Sequence, residues 1–237
     1  VQDTANTGAG ESGNAVCAVA PGLWALDSHF MTMGRKGSVR MSIVQTASGL
    51  LLYSPVALTG AHLEQIARLG RVAAIIAPNL YHHLYLRACS ALYPEADVYV
   101  PEGLTEKIGP LDGASIIDAE TVLDKNGDVD WFTFAGHMIR ETVLYHRPSK
   151  TLITADLIYH FTRDQFPAER VFFWLMGCYG SPKIVFYHHF AIRSRPSIED
   201  LIKKVSAWEV QRIVMCHGRI YEGADAGRLF TEAWRRF

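Results

Sequence analysis

Ten histidines are spread over the 237 residues, and several of them sit just after runs of apolar residues. Four such places stand out: Asn79 to His83 after the run ending at Ala77, Gly136-His137 after Phe134, Asp156 after Ala155, and His217-Gly218 after Cys216. Side chains just beyond the end of a strand lie at a sheet edge, where segments far apart in sequence can meet in one site. Imidazole and carboxylate together suit zinc, iron or manganese, and a catalytic centre keeps one coordination position open for water. The candidate metal ligands are therefore His82, His83, His137, Asp156 and His217, for one or two divalent ions, zinc or iron. Asp156 is the carboxylate suited to bridging two ions. Any one of these histidines alone reads as a hydrogen-bonded structural residue; the same placement repeated at successive strand ends favours a shared site.

Other polar residues carry weaker signals. Tyr187-His188-His189-Phe190 lies in an aromatic segment with Phe172, Phe173, Trp174 and Phe186. It reads as core and amphipathic surface, with a pocket wall over the metal as the alternative. His146 and His160 read as turn residues, His62 as part of a solvated helix face, and His29 as a loop residue. The stretch from Asp124 to Asp130 imitates the start of a calcium loop, but its sixth position is Val129 and its twelfth is Ala135, so a polar turn is the expectation. Arg40 and Lys183 are available for an anionic substrate or, with the better base rate, for a carboxylate partner.

The elements that must position these residues follow from apolar periodicity. Leu23 to Leu26 and Val39 to Thr46 read as strands, and Ser48-Gly49 turns into a further strand, Leu50 to Tyr53. Thr59 caps a helix with apolar positions Leu63, Ile66, Ala67 and Leu69, ending at Gly70. A continuous buried strand, Val72 to Ala77, follows. Leu84 to Tyr93 reads as a helix with Leu84, Ala88 and Leu92 on one side, and Val98 to Val100 as the next strand, which makes a parallel β-α-β unit. Strands are then expected at Ser115 to Asp118, Val129 to Phe134, Glu141 to Tyr145, Thr151 to Ala155 and Arg212 to Cys216, with helices at Ile198 to Trp208 and Ala226 to Phe237. Two halves of this kind predict an α/β (α+β) protein of two face-to-face sheets with helices outside.

Composition bounds the partners. With 49 % apolar residues, the chain can bury one substantial core, so residues 15–237 read as a single domain after a flexible polar tail, 1–14. Lys and Arg number 23 against 24 Asp and Glu, which argues against nucleic acid or an anionic membrane and leaves a small-molecule substrate. Cys17, Cys89, Cys178 and Cys216 form no CxxC pair and read as reduced, mostly buried thiols, which fits a cytoplasmic location. Cys216, beside His217, reads as a small buried hydrophobe rather than a ligand.

Gly136-His137, the hairpin from Thr142 to Asp156, and Val214-Met-Cys-His217-Gly218 together resemble the second half of the metallo-β-lactamase superfamily, where a histidine, a bridging aspartate and a late histidine occur in that order. Arg40-Met41, Gly49 to Pro55, Ala77 to Leu86, Tyr93-Pro-Glu-Ala, Pro148 to Leu152 and Cys216-His-Gly further resemble the family catalogued as domain of unknown function 4336, over about residues 20–220. The resemblance implies the metallo-β-lactamase-type αββα four-layer sandwich. It also implies a metal-dependent hydrolase of an ester, lactone, thioester or phosphoester, with His83 and Asp156 as catalytic groups. The alternative is an iron-dependent oxidoreductase or a small-molecule-binding protein on the same scaffold.

The superfamily's usual first motif, His-x-His-x-Asp-His, is rewritten here as Asn79-Leu-Tyr-His82-His83-Leu. With Asn79 in the first histidine's place, His83 takes the aspartate's and Leu84 the last histidine's. A one-residue shift instead puts His82 and His83 in the Asp-His positions. In both alignments at least two customary ligands are gone.

Overall fold

A computed structural model describes residues 15–32, 35–162, 174 and 179–237. The expected tail, together with Phe172, Phe173 and Cys178, falls outside these residues. The first sheet holds β1 (Val16–Ala20), β2 (Leu23–Thr32), β3 (Arg35–Thr46), β4 (Gly49–Tyr53), β5 (Val72–Ile76), β6 (Asp97–Val100) and β7 (Ala114–Ile116), side by side in chain order. β1 to β4 pair antiparallel, which short turns permit. From β4 onward the pairing is parallel. Each parallel step needs a crossover, and α1 (Gly60–Leu69), α2 (Leu86–Leu92) and α3 (Leu104–Ile108) lie in those connections.

The second sheet has the order β12-β11-β10-β9-β8, from β8 (Val129–Phe134), β9 (Glu141–His146), β10 (Thr151–Thr154), β11 (Arg212–Met215) and β12 (Tyr221–Glu222). β10 and β11 are parallel, and the chain between them includes α4 (His188–Ala191) and α5 (Arg195–Ser206); α6 (Ala226–Trp234) ends the order. Alternation along three strands divides the core. Leu144, Ile153 and Val214 join the first sheet's core, whereas Val143, Tyr145, Leu152, Ile213 and Met215 pack with Leu201 and Val205 of α5 and Phe230 and Trp234 of α6. On the other side, Ile66 of α1 and Leu86 and Cys89 of α2 belong to the first sheet's core. The result is the expected sandwich of two sheets between helices. Among the described residues, no helix is long and apolar enough to cross a membrane.

Several sequence expectations need correction. β2 continues to Thr32, so His29 lies in a strand rather than a loop. His62 is buried, not solvated, because it is the N3 residue of a capping box: its N–H donates to Thr59 Oγ1 and its Nδ1 accepts from Thr59 N. His146 ends β9, and His160 is buried beside Gly218 in a parallel bridge. α2 begins at Leu86 because tight turns, with His83 N donating to Tyr81 O and Leu86 N to His83 O, consume the preceding residues. Its buried residues are Leu86 and Cys89, leaving Leu84 68 % and Leu92 45 % exposed. Asp124 makes the expected polar turn, accepting from Asn126 N, Asp128 N and Val129 N, and it also ties in Ala47 N.

Candidate metal centre

The register of β10 and β11 starts the site. Thr154 lies opposite Met215, so Asp156 and His217, each two residues further on, leave the sheet side by side. His82 comes from the loop after β5. Asn79 shapes that loop: its Oδ1 accepts from the N–H groups of Tyr81 and His82 at 2.9 and 3.0 Å, curling the chain back over the sheet end. Gly218 completes the other side. It sits at φ +94, and a Cβ there would lie 2.3 Å from His160 O, so the turn that presents His217 requires glycine.

Three side chains converge, the two imidazoles on different oxygens of one carboxylate. His82 Nε2 lies 3.2 Å from Asp156 Oδ2, His217 Nε2 lies 3.3 Å from Asp156 Oδ1, and the two Nε2 atoms are 3.2 Å apart. The far nitrogen of each ring is anchored: His217 Nδ1 donates to Ser38 O at 2.7 Å, and His82 Nδ1 meets Ser54 Oγ at 2.8 Å. Ser54 reaches His82 from a left-handed backbone, φ 62, at the end of β4. The Ser38 bond fixes the orientation of the His217 ring and turns its Nε2 toward Asp156.

Behind Asp156 lies a second, fully buried carboxylate, Glu141. It accepts from Thr154 Oγ1, Ala155 N and Asp156 N, and Asn79 Nδ2 donates to both Glu141 Oε2 and Asp156 Oδ2 at 3.0 and 2.9 Å. Burial, then the charge of Asp156, pushes the Glu141 carboxyl up against these donors. For Asp156, burial alone acts upward, but the imidazoles of His82 and His217 outweigh it and hold the carboxyl well below the usual carboxylate range. His82 responds in kind: burial lowers it, and the facing Asp156 raises it well above an ordinary histidine. Tyr159 Oη donates to Asp156 Oδ1 at 3.1 Å and meets Tyr187 Oη at 2.6 Å. Burial, reinforced by Asp156, raises the Tyr159 hydroxyl well above the ordinary tyrosine value, so it keeps its proton.

Of the five ligands expected from sequence, His82, Asp156 and His217 come together, with donor atoms all within 4.8 Å of one another. His137 does not join them. It is fully buried, accepts from Ile139 N at Nδ1, and its Nε2 meets His188 Nδ1 at 2.9 Å beside Trp234. Burial lowers His137 to about 4 and His188 to about 3, so both are neutral at pH 7. Gly136 lets this turn press against α5, since a Cβ there would lie 2.2 Å from Ser197 Cβ. His83 also stands apart, half-buried at the start of the α2 turn, with burial and then Lys107 lowering its pKa. Arg40 takes its structural option, pairing with Asp27 and donating to the carbonyls of Met215 and Gly218; Lys183 donates to Tyr179 O. The free thiols of Cys89 and Cys216 are buried and that of Cys17 is exposed.

Comparison with known proteins places the fold. Residues 21–105 match the family model described as Domain of unknown function (DUF4336). No curated protein matches the chain in sequence. Among solved structures, the metallo-beta-lactamase from Pontibacter korlensis is 13 % identical, with 94 % of this chain and 99 % of that chain covered and a TM-score of 0.61. A metallo-beta-lactamase from Erythrobacter litoralis is 14 % identical over 94 % and 96 % of the two chains at a TM-score of 0.62. FIM-1 from Pseudomonas aeruginosa, solved in a mono-zinc form, is 13 % identical over 94 % and 95 % at 0.62. The chain has the metallo-β-lactamase fold.

On this metallo-β-lactamase fold, sequence reasoning missed Ser38, Ser54, Glu141 and Tyr159. One of them carried a readable signal: Glu141 opens the apolar run Thr142-Val-Leu-Tyr145, where an acid has no reason to be unless it is held. The cluster opens onto a cavity of about 580 Å³.

Proposed function

We propose that the protein is a metal-dependent hydrolase in which His82, Asp156 and His217 hold one divalent ion, zinc or iron. The observation that carries this reading is that one donor atom from each of the three residues lies within 4.8 Å of the others, the two Nε2 atoms 3.2 Å apart and each 3.2 or 3.3 Å from one oxygen of Asp156. Ligand atoms about 2.0–2.1 Å from a tetrahedral ion are roughly 3.3 Å apart. The anchored far nitrogens fit the same purpose, since each points its ring's remaining nitrogen at the common centre. Three protein ligands leave a position for water or substrate, the arrangement of catalytic rather than structural zinc. The mono-zinc form of the similarly folded FIM-1 is consistent with a single ion.

When bound, such an ion supplies Lewis acidity, polarising a carbonyl and making water a stronger nucleophile at neutral pH. The chain's own residues do the rest. Asn79 and Glu141 hold Asp156 in place from behind, and Tyr159, which stays protonated, fixes its Oδ1. Since Tyr159 donates to Asp156, the proton in the short Tyr159–Tyr187 contact belongs to Tyr187, whose side chain also lines the cavity. In ester hydrolysis the water oxygen bonds to the acyl carbon, the acyl C–O bond breaks, and the departing alkoxide takes up the proton that water gives up. Asp156, beside the reacting atoms, accepts a hydrogen bond from that water and orients it. His83, apart from the cluster, has no role in this scheme.

The test is metal analysis of the purified protein, followed by ester hydrolysis before and after chelation. About one zinc or iron per chain, with activity lost on chelation and restored by the ion, supports the reading. Protein that binds neither ion under saturating conditions contradicts it.

A further inference from the structure

The walls of the cavity beside the cluster bear on what the site accepts. His82, Asp156 and His217 line the cavity, together with the apolar side chains of Val39, Pro55, Leu84, Met138, Ile139 and Phe190. Its volume, about 580 Å³, falls within the usual range for small-molecule sites, roughly 300–1,000 Å³. Three of these large apolar side chains are also conspicuously open: Leu84 is 68 %, Met138 42 % and Phe190 80 % exposed. Apolar residues scattered singly over a surface need no explanation, but these line one cavity together with His82, Asp156 and His217.

Charge narrows the occupant further. No lysine or arginine lines the cavity among the described residues. The neighbouring cations are engaged elsewhere. Arg40 is held by Asp27 and two carbonyls, Arg140 pairs with Glu102, and Lys107 donates to Leu80 O while lying over the Tyr81 ring. An anionic group lying along the apolar wall, away from the ion, would therefore find no counter-ion among the described residues and would lose hydration without recompense. An alkyl or aryl group gains there by leaving water.

We infer that the site takes neutral esters, lactones or thioesters with an extended apolar acyl or alkyl part, which lies along the Leu84–Met138–Phe190 wall while the carbonyl sits at the His82–Asp156–His217 end. A charged group on that extended part is disfavoured by the same wall. This inference rests on the hydrolase reading for the reacting group, but the apolar wall can be tested without catalysis.

The test is calorimetric titration of the full chain, as purified and after chelation, with methyl ketones carrying butyl, hexyl and octyl chains and with carboxylates of matching length. Ketones are neutral and are not hydrolysed, so binding is read alone. Affinity is expected to rise roughly ten-fold for every two added methylenes, and in chelated protein each ketone should bind more tightly than its carboxylate partner. The double variant Leu84→Ser/Phe190→Ser should bind the octyl ketone about ten-fold more weakly; both side chains are exposed, so its fold is not at stake. Affinity independent of chain length, or carboxylates preferred in chelated protein, overturns the inference. So does a concentration-dependent dimer that the double substitution dissolves, which would assign the wall to a second copy of the chain. The two readings fail separately. Length-dependent ketone binding without metal-dependent hydrolysis would remove the hydrolase and keep the apolar site, whereas metal-dependent hydrolysis indifferent to chain length would remove the substrate class alone.

Discussion

Asp156 answers to two sets of partners at once: imidazoles in front, and Asn79, Glu141 and Tyr159 behind. A cation and a proton on His82 serve the same end there, because each puts positive charge beside a buried carboxylate. Asp156→Asn keeps the shape and removes the charge. Metal affinity should fall at least about 100-fold, read by competition with a chromophoric chelator. Asn79 serves both sides of this arrangement, its amide nitrogen donating to the two carboxylates while its oxygen holds the loop that carries His82. Asn79→Ala should cost about 2–4 kcal/mol in urea unfolding, since it removes the one donor that Glu141 and Asp156 share. A loss under about 0.5 kcal/mol would show that the amide does not hold the pair.

At the scale of elements, Arg40 joins the first sheet to the turn after β11. Its Nη1 donates to Met215 O and Gly218 O, and its backbone N–H to Cys216 O, so β3 braces the segment that presents His217. Arg40→Met should weaken metal binding without touching a ligand, by about ten-fold, with a stability loss of about 1–3 kcal/mol; unchanged affinity would separate the brace from the site. Asp130 of β8 does similar service for α5. Burial acts to raise its carboxyl, but hydrogen bonds from Trp208 Nε1, Lys204 and Trp131 N prevail and lower it. A carboxyl lowered in the folded state binds fewer protons than in the unfolded chain, so its stabilisation is present above the ordinary value near ~3.9 and is lost as pH falls through the folded one. Asp130→Asn should therefore be less stable than wild type at pH 7, by about 1–2 kcal/mol. The gap should close below about pH 3.9; a constant gap would contradict the assignment.

The same scale shows what was legible. Strands with clear periodicity or continuous apolar content, such as β5 and β8, could be read directly, as could α1 from its Thr59 cap. The buried side of α2 could not, because local turns use up Leu84 before the helix begins, and an apolar residue at helical spacing then lies at a cavity wall instead of in the core. Asp156 and His217 were visible as strand-end residues. The anchors Ser38 and Ser54 were not, because each is defined by a partner from another strand or loop, Ser38 for His217 and Ser54 for His82, and nothing local marks a serine for that task. His137 was visible for the same reason as Asp156, but His188 takes its Nε2, a contact across 51 residues that spacing alone does not reveal.

For the whole molecule, the centre lies where the two sheets and the β5 loop meet, so filling it should stabilise the assembly of all three. A ligand at 100 times its Kd adds about 2.7 kcal/mol to folding stability. Zinc or iron should raise Tm in the wild type and leave it unchanged in the Asp156→Asn variant; an equal shift in both would point to binding elsewhere. The central claim is tested most directly by anomalous diffraction at the zinc and iron edges from crystals grown with the metal. The account predicts one peak about 2.0–2.2 Å from His82 Nε2, His217 Nε2 and a carboxylate oxygen of Asp156. An ordered cluster with no peak at saturating metal, or an ion held by His83 or His137 instead of His82, would contradict it.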